Sequence, residues 1–122
     1  MATGKIEKLI GEVIPEVFTL TPKVTNVKYL DGVRYKIGRL VCCSFRFEVT
    51  SGTISAGTAI LSGLTPSVYA GLGYNGPFCG IGWNNANANT FNFAITNTNE
   101  ISTSSALNQN QYRVSITYFT TD

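Results

Sequence analysis

Six residues of the 122 stand out as able to hold a ligand: Tyr69, Tyr74, Asn75, Trp83, Asn84 and Asn85. They surround a glycine-rich stretch and a run of amides, at or near expected loop ends. An aromatic ring supports the C–H face of a sugar, while amides donate to and accept from its hydroxyls. The competing reading places Trp83 and the tyrosines in the core and leaves Asn84 to Asn89 as a solvated loop. The chain has no histidine, which removes the commonest general base, the usual serine triad and imidazole metal ligation. Its acids are few and far apart in sequence, and no pair reads as the two carboxylates of a glycosidase. Catalysis is not expected, and neither is a bound metal or cofactor.

Two further groups have chemistry-bearing residue types. Gly71-Leu72-Gly73-Tyr74-Asn75-Gly76 has the form of a dinucleotide fingerprint, which needs a helix N-terminus after it to receive the pyrophosphate. Pro77 and an aromatic strand follow instead, so the stretch reads as a glycine-rich hairpin. Cys42, Cys43 and Cys79 are the three cysteines. Adjacent residues of a strand point oppositely, which sends Cys43 to the core and Cys42 to the other side. Cys79 can meet either if its strand is a neighbour. An odd count is not a disulfide framework, and three thiols without histidine fit no zinc pattern. The expectation is buried free thiols acting as small apolar groups.

The surface these residues share is polar but sparsely charged. Charged residues are 13% of the chain, about half the usual share. Thirteen of the sixteen lie between Lys5 and Glu48, and beyond them the chain fills with Asn, Thr, Ser and Gly. Such a surface suits neutral sugars or identical neighbours better than ionic partners. The net charge of +2 is too small and scattered for a nucleic-acid partner. No apolar run approaches the roughly 18 residues that span a membrane, so no membrane insertion is expected. Nothing at the N-terminus reads as a signal peptide. The expectations are a protein that stays in the producing cell, one exported without a cleaved signal, or a domain cut from a longer chain.

The elements that must position these residues are strands. Arg39 to Val49 alternates strictly, with Val41, Cys43, Phe45, Phe47 and Val49 on one side and Leu40, Cys42, Ser44, Arg46 and Glu48 on the other, the pattern of a long strand with one buried face. Gln111 to Phe119 repeats it, with Tyr112, Val114, Ile116 and Tyr118 on one face. Val17 to Leu20, Thr58 to Leu61, Val68 to Tyr74, Phe78 to Trp83, Phe91 to Ile95 and Glu100 to Ser102 read as shorter strands. Asp31-Gly32 between Val24–Leu30 and Val33–Ile37 predicts a two-residue hairpin turn, with Arg34 and Lys36 on its outer side. Thr3 to Val13 carries a helical apolar stripe limited by Gly11 and Pro15 to about two turns, a docked helix or a stalk end. The prediction is an all-β, antiparallel, jelly-roll-like sandwich over residues 17–122, preceded by a tail or stalk end at 1–16.

Tyr35-Lys36-Ile37-Gly38-Arg39-Leu40-Val41, then Phe45 and Phe47, then Ile54 to Pro66 (ISAGTAILSGLTP) resembles the distal, C-terminal head domains of bacteriophage tail-fibre and baseplate receptor-binding proteins. The adjacent cysteines stand outside that pattern. The resemblance implies a homotrimeric β-sandwich head on a stalk, carried on the virion or extracellular, that binds a bacterial cell-surface saccharide or protein and is not an enzyme. On that reading Leu40, Tyr29 and Phe119, each opposite its strand's better apolar face, become candidates for the trimer interface. Two other readings stand beside it: a structural trimerisation or capping module without ligand, and a stand-alone β-sandwich lectin.

Overall fold

The computed structural model describes residues 13–70 and 78–121. The N-terminal helix or stalk end, the Gly71 to Gly76 hairpin, and with it Tyr74 and Asn75, lie outside these residues. Among the described residues the fold is all-β and antiparallel, with nine strands: β1 (Glu16–Val17), β2 (Thr21–Pro22), β3 (Val27–Ile37), β4 (Leu40–Ile54), β5 (Ala59–Ser62), β6 (Phe78–Asn84), β7 (Thr90–Ile95), β8 (Glu100–Thr103) and β9 (Leu107–Phe119). Hydrogen bonding joins them into a single sheet in the order β1-β3-β4-β9-β6-β7-β8-β5-β2. Its curl, rather than the stacking of two separate sheets, encloses one core drawn from both ends of that order.

The alternation of the two longest strands decides where the core lies. On β4, Val41, Cys43, Phe45, Phe47 and Val49 are buried, and on β9 the same holds for Tyr112, Val114, Ile116 and Tyr118. The two strands pair along nearly their whole length, Phe47 opposite Tyr112 and Phe45 opposite Val114. Both are longer than expected. β4 continues through Thr50-Ser51-Gly52, where the register shifts and Gly52 takes φ +63°, and β9 begins at Leu107 rather than Gln111.

The sheet's two edge strands are only four residues apart in the chain. β1 lies on β3, with Val17 opposite Val33, and β2 lies on β5, with Pro22 opposite Leu61. The link between them sends Phe18 and Leu20 into the core. Phe18 N donates to the Gly32 carbonyl at 3.2 Å, and Lys23 N to the Ile60 carbonyl at 2.9 Å. Residues 16–22 thus strap the two ends of one sheet together across the core, covering edges that would otherwise present open hydrogen-bonding groups.

The Asp31-Gly32 hairpin is not formed. β3 runs straight through both residues, with a register shift between Tyr29 and Asp31. Gly32 sits buried opposite Phe45, where a Cβ would come within 2.7 Å of the Phe45 Cβ and 2.4 Å of the Tyr29 hydroxyl. The glycine is there for close approach, not for a turn. Asp31 is held instead by a two-pronged pair with Arg46, 2.9 and 2.7 Å. The turn falls at Gly38-Arg39, Gly38 taking φ +60° and Ile37 pairing with Leu40, which is the glycine-first form of a two-residue hairpin loop.

The same shift inverts the alternation on β3. Tyr29 turns inward and packs on Phe18 and Phe45, its hydroxyl donating to the Phe18 carbonyl at 2.7 Å. It is therefore not an outer-face residue available to an interface. Arg34 also leaves the outer side, lying 5.5 Å over the Phe18 ring and bonded to Thr65. Val33, Tyr35 and Ile37 take the outer face instead.

The three cysteines are free, but only Cys43 is buried; Cys42 is half-buried and Cys79 exposed. β9 lies between β4 and β6, so Cys79 is not a neighbour of either partner, and its expected burial does not occur. Burial pushes the Cys43 thiol up to about 12, leaving almost no nucleophilic thiolate at neutral pH. Iodoacetamide is therefore expected to label Cys79 first, Cys42 more slowly and Cys43 only on unfolding, as read by peptide mass spectrometry. Native labelling of Cys43 at the rate of Cys79 would show that the inner face of β4 is open to solvent.

Candidate functional site

β6 is built inside out. Its inward positions are Gly80 and Gly82, while Cys79, Ile81 and Trp83 point outward. A Cβ on Gly80 would lie 2.3 Å from Ile116 Cγ2, and one on Gly82 would lie 2.5 Å from the Arg113 carbonyl oxygen. The glycines let β6 press onto β9 without side chains between them, and every large residue after Phe78 is displaced to the outer surface. Trp83 is 48% exposed and is not a core residue.

The pairing of β6 with β9 puts Trp83 opposite Arg113. Arg113 lies opposite Arg46, and Arg46 opposite Asp31. Four strands thus contribute one cross-strand row: Asp31, Arg46, Arg113, Trp83. The Arg46 guanidinium holds the Asp31 carboxyl below the usual carboxylate range, mainly through their hydrogen bonds, so the pair stays ionised. Arg113 meets no carboxylate among the described residues. Its Nε donates to Asn85 Oδ1 at 3.2 Å, and Asn85 Nδ2 donates to Gln111 Oε1 at 3.1 Å.

The next row along the strands is Val17, Val33, Ser44, Ser115, Ile81. The serines form a low floor between two apolar banks, which stand roughly 14 Å apart, three inter-strand spacings. A cleft of about 440 Å³ lies against the Trp83 bank, lined by Ser44, Ile81, Trp83, Thr90, Arg113 and Ser115. Such a surface offers an aromatic plate, a cation and amide and hydroxyl groups side by side. It can hold a ring by its C–H face and its hydroxyls by hydrogen bonds. Among the described residues it holds no nucleophile–base pair.

The six residues singled out from sequence divide accordingly. Trp83 and Asn85 belong to this face. Asn84 does not: it is 8% exposed, and its Oδ1 accepts from Asn87 N at 3.0 Å. With Asn84 N donating to the Asn89 carbonyl and Ala88 N to the Asn84 carbonyl, it shapes the β6–β7 turn, in which Ala88 takes φ +57°. That turn fixes Asn85, whose own N–H donates to the Gln111 carbonyl at 3.0 Å. Tyr69 lies at the opposite end of β6, its N–H bonded to the Phe119 carbonyl. It stands beside Phe78, five residues and roughly 17 Å along the strand from Trp83, too far to share one sugar ring.

Arg113, Gln111 and Ser115 were not found from sequence. Alternation along the last strand had placed Arg113 on the outer face, but nothing local pairs it with Trp83. The Gly80-Ile81-Gly82-Trp83 pattern did hold a usable signal: glycine at every second position marks the face that has no room for side chains. The sequence matches no known protein family, and no curated protein is detectably similar to it.

Proposed function

We propose that this chain is a non-enzymatic receptor-binding head of the phage tail-fibre type, recognising a bacterial cell-surface glycan or protein through the outer face around Trp83, Asn85 and Arg113. One observation carries the reading: a half-exposed tryptophan held beside a hydrogen-bonded Arg113–Asn85–Gln111 cluster on an open sheet face. A large aromatic left in water lowers solubility unless something covers it, and the polar groups at its edge are those that read hydroxyls.

Trp83→Ala is expected to weaken binding to host cells or to an arrayed surface glycan by about 30-fold, the loss of a typical aromatic hot spot. Native mass and far-UV circular dichroism should not change, because Trp83 stands half-exposed on the outer face and is not part of the buried core. Unchanged binding would remove the assignment. The second reading, a trimerisation or capping module, is favoured by Val17, Val33 and Ile81, which leave large apolar side chains exposed on the same face. Light scattering on a size-exclusion column, read together with binding by the unaltered chain, separates the cases. A mass three times the 13.2-kDa chain, combined with no binding of the unaltered chain to host cells or to any arrayed glycan, would favour the structural module.

A further inference from the structure

At the end of the curled sheet away from Trp83, four chain segments meet: the Gly38-Arg39 turn, Val68-Tyr69, the start of β6 at Phe78, and the end of β9 at Phe119-Thr120. Thr120 N donates to the Arg39 carbonyl at 2.9 Å and Tyr69 N to the Phe119 carbonyl at 2.7 Å, while Val68 bridges Thr120. The Phe78 and Phe119 rings meet edge to face with centroids 6.0 Å apart. They and Tyr69 line a cleft of about 420 Å³, with Arg39 and the buried Thr120 completing it. That volume lies within the range of about 300–1,000 Å³ common for small-ligand sites.

Charge selects the occupant. The Arg39 guanidinium has no ion-pair or hydrogen-bond partner among the described residues. Glu16, Asp31 and Glu100 are each paired with another cation, and Glu48 lies nine residues further along β4. Phe119 is 52% exposed, so the aromatic wall and the cation face solvent together. A neutral sugar would use the ring and leave the guanidinium idle, whereas a ring bearing a carboxylate would use both.

We propose that this cleft binds an acidic monosaccharide unit, a hexuronate, with its C–H face on Phe119 and Tyr69 and its carboxylate on Arg39. The site is separate from the Trp83 face and does not depend on that face binding anything. The probes are glucuronate and, as the neutral control, glucose, each titrated into the ¹⁵N-labelled full chain and followed by amide chemical shifts. Glucuronate is expected to give saturable shifts at Arg39, Tyr69 and Thr120, with an affinity about tenfold above that of glucose, the scale of one charge-assisted hydrogen-bonded pair. Arg39→Gln should erase the difference between the two sugars while leaving the rest of the spectrum in place. Trp83→Ala should leave it intact. Equal shifts from both sugars, a preference that survives Arg39→Gln, shifts confined to the Trp83 indole, or no shift at all would each overturn the proposal.

Discussion

Phe47→Ala is expected to destabilise the fold by about 3–5 kcal/mol, the range for deleting a fully buried aromatic side chain. Phe47 is wholly inaccessible. Its ring stacks on Tyr112 at 5.2 Å and 16°, meets Phe93 edge-on at 6.0 Å, and touches Phe45 at 6.4 Å. It therefore joins β4, β9 and β7, which are not consecutive in the chain. Neighbouring rings anchored from three strands cannot all move into the vacated space. Tyr112 is further tied by its hydroxyl, which donates to the Asn108 carbonyl at 2.7 Å. Domains of this kind have about 5–15 kcal/mol in total, so the loss is a large share of what holds the fold. Urea denaturation followed by far-UV circular dichroism measures the loss. Phe47→Leu, which keeps most of the volume, should retain more than half of it. A loss below about 1 kcal/mol for the alanine variant would mean that the ring does not fill the centre of the core.

Leu20→Ala is expected to cost about 2–5 kcal/mol and, more tellingly, to loosen two distant parts of the sheet at once. Leu20 is 1% exposed and sits on the strap between β1 and β2. Those strands cover the outer edges of β3 and β5, the two ends of the sheet order beneath them. Withdrawing the anchor should free both edges, with the Lys23–Glu100 pair adding little because it lies at the surface. Native-state hydrogen exchange is the measurement. Amides near Val33 and Arg34 on β3 and near Leu61 and Ser62 on β5 should exchange faster by similar factors. Those at the centre of β4 and β9 should follow only the global loss of stability. Acceleration at one edge alone would show that residues 16–22 act as two separate contacts and not as a strap.

These two variants also mark what could be read without the structure. Phe47 was legible as core because strict alternation over Val41 to Val49 is a local property of the chain. The strap was not legible, because no feature of Phe18 or Leu20 says which strands they will join. The Asp31-Gly32 turn shows a local signal losing to a tertiary one. Gly32 supplies the room that Phe45 and Tyr29 require, and Asp31 gains two charge-assisted hydrogen bonds from Arg46, so the extended strand wins over the hairpin. Tyr29 and Arg34, expected outside, both turn inward on that strand, and the bulge between them keeps them on one face.

The candidate site divides along the same line. Trp83 and Asn85 were visible as residue types at an expected loop end, whereas Asn84 was indistinguishable from its neighbour until its burial was seen. Arg113 and Gln111 joined them only through the pairing of β6 with β9, strands separated by more than twenty residues. By itself the sequence determined the class of fold, the inward faces of the two long strands and the absence of imidazole chemistry, since these follow from composition and from a period of two along the backbone. The tertiary structure alone decided strand order, the closure of the sheet by residues 16–22 and which polar groups surround Trp83. Those depend on long-range pairing, in which steric room at Gly32, Gly80 and Gly82 selects among registers that the local pattern permits equally.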